Sequence, residues 1–197
     1  MLMIKENQIL EIARSKNGMI TTKEVTRNNI PRIYLTKLIK NQKIFRVDRG
    51  IYSLNHINVE PFYALQTKSK KIIFSHFTSL NIQGFYKNID REEQISVLQS
   101  YNAKKFSDYK VFYNNTKTYT EGLIEYEYKG QKLKIYDIER SVCDIIKDRH
   151  RFDKEQYNKF INFYFNLENL NYTKLFKYSS ILKISKLVHH YLSLFKA

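Results

Sequence analysis

Ile4, Ile9, Leu10, Ile12 and Ala13 recur at helical spacing and predict a first helix over residues 3–16, which Asn17-Gly18 stops. Thr21-Thr22-Lys23-Glu24-Val25 opens a second, short helix, because a threonine there can cap free backbone N–H groups, and Asn28-Asn29 breaks it. Ile30-Pro31 opens a third helix through PRIYLTKLIKNQ, with proline in the first turn where its missing N–H does no harm. At 100° per residue, Leu35, Leu38, Ile39 and Gln42 form its inward stripe. Ile33, Thr36, Lys37 and Lys40 fall opposite, with Arg32 and Tyr34 on the flanks. The pattern then turns extended: Ile44–Val47, a turn at Asp48-Arg49-Gly50, and Ile51–Leu54, with Gly50 able to take the positive φ of a short loop.

His56–Pro61 reads as a linker. Beyond it the pattern predicts a helix at about 62–70, a strand at Lys71–Phe74 and a helix near 76–83. Strands follow at Gln94–Leu98, Tyr109–Tyr113, Leu123–Tyr128 and Lys132–Tyr136, the last two joined by a hairpin at Lys129-Gly130-Gln131. Helical patterns cover 138–149, 153–167 and 179–195. The fold class is therefore α+β: an N-terminal winged helix–turn–helix over residues 1–56, then a mixed sheet with a helical end over 61–197.

Charge sharpens that picture. The 197 residues carry a formal net charge of +15, which favours a polyanionic partner. Residues 1–56 hold 11 Lys/Arg against 4 Asp/Glu, 57–153 hold 16 against 13, and 154–197 hold 7 against 2. Two basic ends thus enclose a nearly balanced middle. The single cysteine, Cys143, leaves no internal disulfide framework or thiolate metal cluster, and a reducing cytoplasm fits. No apolar run approaches the ~20 residues that span a bilayer, and the first residues lack a signal-peptide core.

Three helices followed by a hairpin is the order of a winged helix–turn–helix. The third helix has one apolar stripe and a Thr/Lys/Arg/Tyr outer face, which suits entry into the major groove. The wing RVDRGIYSL sets Arg46 and Arg49 at a tip, where cations meet the phosphate backbone or minor groove. The expected partner is double-stranded DNA, contacted by Thr22, Lys23 and Arg27 of the second helix, by Arg32, Ile33, Tyr34, Thr36, Lys37 and Lys40 of the third, and by Arg46 and Arg49. RNA is disfavoured, because no aromatic strand motif of the RRM type accompanies the charge. Near the C-terminus, residues 170–197 contain no acidic residue, and Lys174, Lys177, Lys183 and Lys186 form a candidate second DNA-facing surface.

Four stretches in order carry a family resemblance: TTKEV, IPRIYLTKLIKNQKIFRVDRGIYSL, FSHFTSLNIQGF and KIYDIERSVCDIIKDR. Together they resemble the AbiEi antitoxins of type IV toxin–antitoxin systems. The chain departs from that pattern at Gln83, where histidine is common, and at Ile138, where proline is usual. The resemblance implies a winged-helix transcriptional autorepressor acting at inverted repeats upstream of its own operon. It implies a second domain that opposes a nucleotidyltransferase toxin in abortive infection against phage, with no stable complex required.

Other candidate chemistry is thinner. Asp137, Glu139 and Asp144 surround Arg140; an N-cap at Asp137 and an i,i+4 pair between Arg140 and Asp144 account for them as helix structure. Glu125, Glu127 and Lys129 alternate into the hairpin, a carboxylate–lysine arrangement that a winged-helix-targeted metal-dependent nuclease would use. Adjacent His189 and His190 point apart on a helix and make poor joint ligands, and the five glycines do not cluster into a phosphate loop. The leading expectation is a non-enzymatic regulator without cofactor or metal. The nuclease is the alternative, and a protein-binding module is a third reading.

Overall fold

The computed structural model describes residues 2–55, 61–87 and 92–196; of the linker expected at 56–61, residues 56–60 lie outside them and Pro61 begins a helix. The chain is α+β and divides into two compact units, Met1–Lys70 with 127–133, and Lys71–Tyr126 with 134–197.

The first unit runs α1 (Leu2–Arg14), β1 (Met19–Thr21), α2 (Thr22–Arg27), α3 (Ile33–Lys40), β2 (Phe45–Asp48), β3 (Ile51–Ser53) and α4 (Pro61–Lys68). Its antiparallel sheet has the order β1-β3-β2, and helix–strand–helix–helix–strand–strand is the winged-helix order. β1 was not expected from the sequence: Met19-Ile20-Thr21 is too short to show alternation, and pairing to β3 (Ile20 opposite Tyr52) makes it a strand. The α1 stop works as expected, with the Gly18 N–H bonded to Ala13 O at 2.8 Å. Thr21 and Glu24 form a reciprocal capping box at the start of α2. Burial would raise the Glu24 carboxyl, but Lys16 and Thr21 bonds hold it below its usual value.

Two sequence expectations for α3 need correction. Pro31 and Arg32 precede the helix rather than forming its first turn. Leu35 and Leu38 are buried, but Ile39 is 37% exposed and Gln42 is exposed, so the inward stripe is narrower than the wheel implied. The helix ends at Lys40 and Gln42 turns left-handed with φ 54°, which takes it off the helical phase; the Lys43 N–H closes the end on Leu38 O at 2.9 Å. Ile9, Ala13, Ile20, Val25, Leu35, Leu38 and Ile44 form the core beneath.

The second sheet has the order β6-β5-β4-β8-β7, built from β4 (Ile73–Phe74), β5 (Gln94–Leu98), β6 (Lys110–Asn114), β7 (Leu123–Tyr128) and β8 (Gln131–Tyr136). β4 is shorter than the expected 71–74. It pairs antiparallel with β5 and parallel with β8, Phe74 opposite Ile135. Helices α5 (His76–Ile82), α6 (Thr116–Tyr119), α7 (Ile138–Lys147), α8 (Lys154–Phe165), α9 (Tyr172–Ile181) and α10 (Ser185–Phe195) complete the chain. The single helix expected over 179–195 is two, because Lys183 turns left-handed (φ 59°) and the Ile184 N–H closes α9 on Ser179 O at 2.8 Å.

The stretches 74–85 and 134–149 meet in this unit. The Ser79 hydroxyl and Gln83 Nε2 both donate to Tyr136 O, at 2.5 and 3.1 Å. Asp137 caps α7 by accepting the Arg140 N–H at 2.9 Å, and Arg140 Nε meets Asp144 Oδ2 at 3.1 Å. Cys143 is buried in the core.

Candidate nucleic-acid interface

The sequence selected eleven residues in the first unit. α3 faces the core with Leu35 and Leu38, and this turns Ile33 (57% exposed), Thr36, Lys37 and Lys40 to solvent. An isoleucine this exposed on an otherwise polar helix face can meet a thymine methyl, while the lysines suit phosphates. Lys37 Nζ lies 5.4 Å from the Tyr34 ring centre, a cation–π contact that steadies both side chains. Arg32 Nε donates to Thr26 Oγ1 at 3.2 Å, tying the start of α3 to α2.

The wing is shaped by one extra residue. Arg46 opposes Tyr52, but Asp48 opposes Ile51, so Val47 bulges out of the ladder. Arg49-Gly50 makes the turn with Gly50 at φ +76°. Gly50 O accepts the Thr22 N–H at 2.9 Å, and a Cβ on Gly50 would stand 3.2 Å from Thr22 Oγ1. The wing tip is thus fastened to the N-terminus of α2, which gives Thr22 a structural role. Arg46, Arg49, Lys23 and Arg27 are exposed. Arg46 Nε reaches Asp48 O at 3.4 Å.

The sequence reading missed Asp48 and Lys68, which form an ion pair between the wing and the end of α4. Their separation of twenty residues in sequence gives no local signal.

In the second unit, Lys174 pairs with Asp137 at 3.0 Å and Lys177 with Glu121 at 3.0 Å, while Lys183 and Lys186 are exposed. Glu125 and Glu127 are exposed on β7 and Lys129 sits in the following turn. Among the described residues no group of three or more His, Cys, Asp or Glu is placed to hold a metal ion. No described helix is long and apolar enough to cross a membrane.

The fold is similar to that of the RV2827C protein from Mycobacterium tuberculosis, with a TM-score of 0.56 and 9% identity over 94% of this chain and 79% of that one. No curated protein matches the chain. A family model described as "Transcriptional regulator, AbiEi antitoxin" matches residues 7–55, from α1 through the wing; the stretches 74–85 and 134–149 lie outside the match. The likeness to the AbiEi antitoxin transcriptional regulators thus lies in residues 7–55, the part of the chain that holds α3 and the wing.

Proposed function

We propose that this protein is a winged-helix autorepressor and antitoxin that binds inverted repeats upstream of its own operon and opposes a nucleotidyltransferase toxin. The observation that carries the reading is the outward face of α3, with Ile33, Thr36, Lys37 and Lys40 free of the core, inside the segment that matches a regulator family. α3 enters the major groove. Arg46 and Arg49 of the wing, with Lys23, Arg27 and Arg32, hold the backbone. Lys183 and Lys186 of the second unit add phosphate contacts, whereas Lys174 and Lys177 lean on carboxylates and contribute less. The second unit supplies the antitoxin effect without a stable toxin complex, and the protein acts in the cytoplasm.

Wing and helix variants test the division of roles. Arg46→Ala and Arg49→Ala are each expected to weaken binding by about 1 kcal/mol, equally for upstream and unrelated DNA, because a backbone charge is lost. Thr36→Ala and Lys37→Ala are expected to narrow the gap between the two DNAs instead. Fluorescence anisotropy on both duplexes across a salt series reads each effect. An Arg49 variant as tight as the parent at moderate salt would remove the wing from the interface.

A further inference from the structure

The wing carries one carboxylate among its cations. Asp48 closes β2 between Arg46 and Arg49, where a phosphate drawn to either arginine would meet a like charge. The fold answers that charge locally. Asp48 Oδ1 accepts the Arg49 N–H at 2.6 Å, and Oδ2 is ion-paired with Lys68 Nζ in the last turn of α4. These two partners, Lys68 foremost, hold the Asp48 carboxyl below its usual range. α4 begins after the matched segment ends, yet it belongs to the same compact unit and packs on β3. Leu65 and Gln66 of α4 are buried, and the Phe62 ring centre lies 6.0 Å from that of Tyr128 in β7.

We propose that α4 braces the DNA-binding wing, with Lys68 a positioning residue that cancels the Asp48 charge and fixes the Asp48-Arg49-Gly50 turn so that both arginines can engage phosphate. This rests on the DNA-binding reading above. The pair is half-exposed, so it adds little to folding. Its effect falls on a polyanion approaching the tip, because rim charges alter association and salt dependence more than they alter the fold.

The test is a mutant cycle in the whole chain, read as affinity for upstream duplex DNA over a salt series, with Lys68→Ala, Asp48→Asn and the double variant. Lys68→Ala is expected to weaken binding about fivefold by exposing Asp48 to the phosphates. Asp48→Asn is expected to bind at least as well as the parent, and adding Lys68→Ala to it should then cost less than about twofold. An equal cost of Lys68→Ala in both backgrounds would make Lys68 an independent cation and overturn the brace. No cost in the parent would overturn it too. Arg49→Ala, measured alongside, separates the two levels. A loss there with no coupling at 68 rejects the brace alone; no loss there rejects the DNA-facing wing and the brace with it.

Discussion

Replacing Arg140 by alanine is expected to cost the second unit about 3–5 kcal/mol, because it leaves a buried carboxylate without its cation. Arg140 is 0% exposed, and every arm of its guanidinium is used. Nε holds Asp144 at 3.1 Å, Nη1 donates to Thr118 O and Glu121 O at 2.6 Å each, and Nη2 reaches Asn114 Oδ1 at 3.2 Å. The guanidinium also lies 4.1 Å from the Tyr136 ring centre. Burial opposes the charged form, and Asp144 with Tyr136 more than restores it. The neighbouring chain fits closely: a Cβ on Gly122 (φ +74°) would fall 2.6 Å from Arg140 Cβ. The double variant Arg140→Met/Asp144→Leu should recover only part of the loss, since the Thr118 and Glu121 carbonyls stay unbonded at about 1–3 kcal/mol each. Hydrogen exchange of the α7 and α9 amides measures this, and unchanged protection in Arg140→Ala would refute it.

Leu38→Ala is expected to abolish DNA binding without touching a single exposed residue. Leu38 is 0% exposed at the centre of the first unit's core, under the face of α3 that turns outward. Truncating a buried leucine costs about 2–5 kcal/mol, and a unit of this size holds on the order of 5 kcal/mol in all. The helix then loses the platform that orients Thr36 and Lys37. Leu38→Met keeps the volume and should cost less than about 1.5 kcal/mol, with binding retained. Anisotropy together with limited proteolysis of the whole chain separates unfolding from loss of contact; full binding by Leu38→Ala would contradict the packing described for α3.

These two residues also mark what the sequence could show. Leu38 was legible because an amphipathic helix writes its buried stripe at regular spacing. So were the Asp137 cap and the Arg140–Asp144 pair, four residues apart. The depth of Arg140 was not, since it depends on the carbonyls of Thr118 in α6 and Glu121 just before β7, some twenty residues earlier in the chain. Gln42 was misplaced because a wheel assumes the helix continues, and α3 stops at Lys40; Ile39, still inside α3, lies at the edge of a buried stripe that holds only Leu35 and Leu38. The break between α9 and α10 was hidden for a related reason: a lysine, not a glycine, takes the left-handed position at 183. In the candidate interface the exposed α3 face was readable from periodicity, and the wing from its Asp-Arg-Gly turn. The pairing of Lys68 with Asp48 was not, because no local pattern links α4 to β2.

The role proposed for this chain is to bind DNA as a regulator. Its most direct test is an electrophoretic titration of the whole chain against the DNA upstream of its own gene, with an unrelated duplex as competitor, in the presence and absence of Mg²⁺. A DNA-binding regulator is expected to give a retarded, intact duplex in both conditions that the unrelated DNA displaces poorly. Failure to retard the upstream DNA, or its cleavage once Mg²⁺ is added, would contradict it.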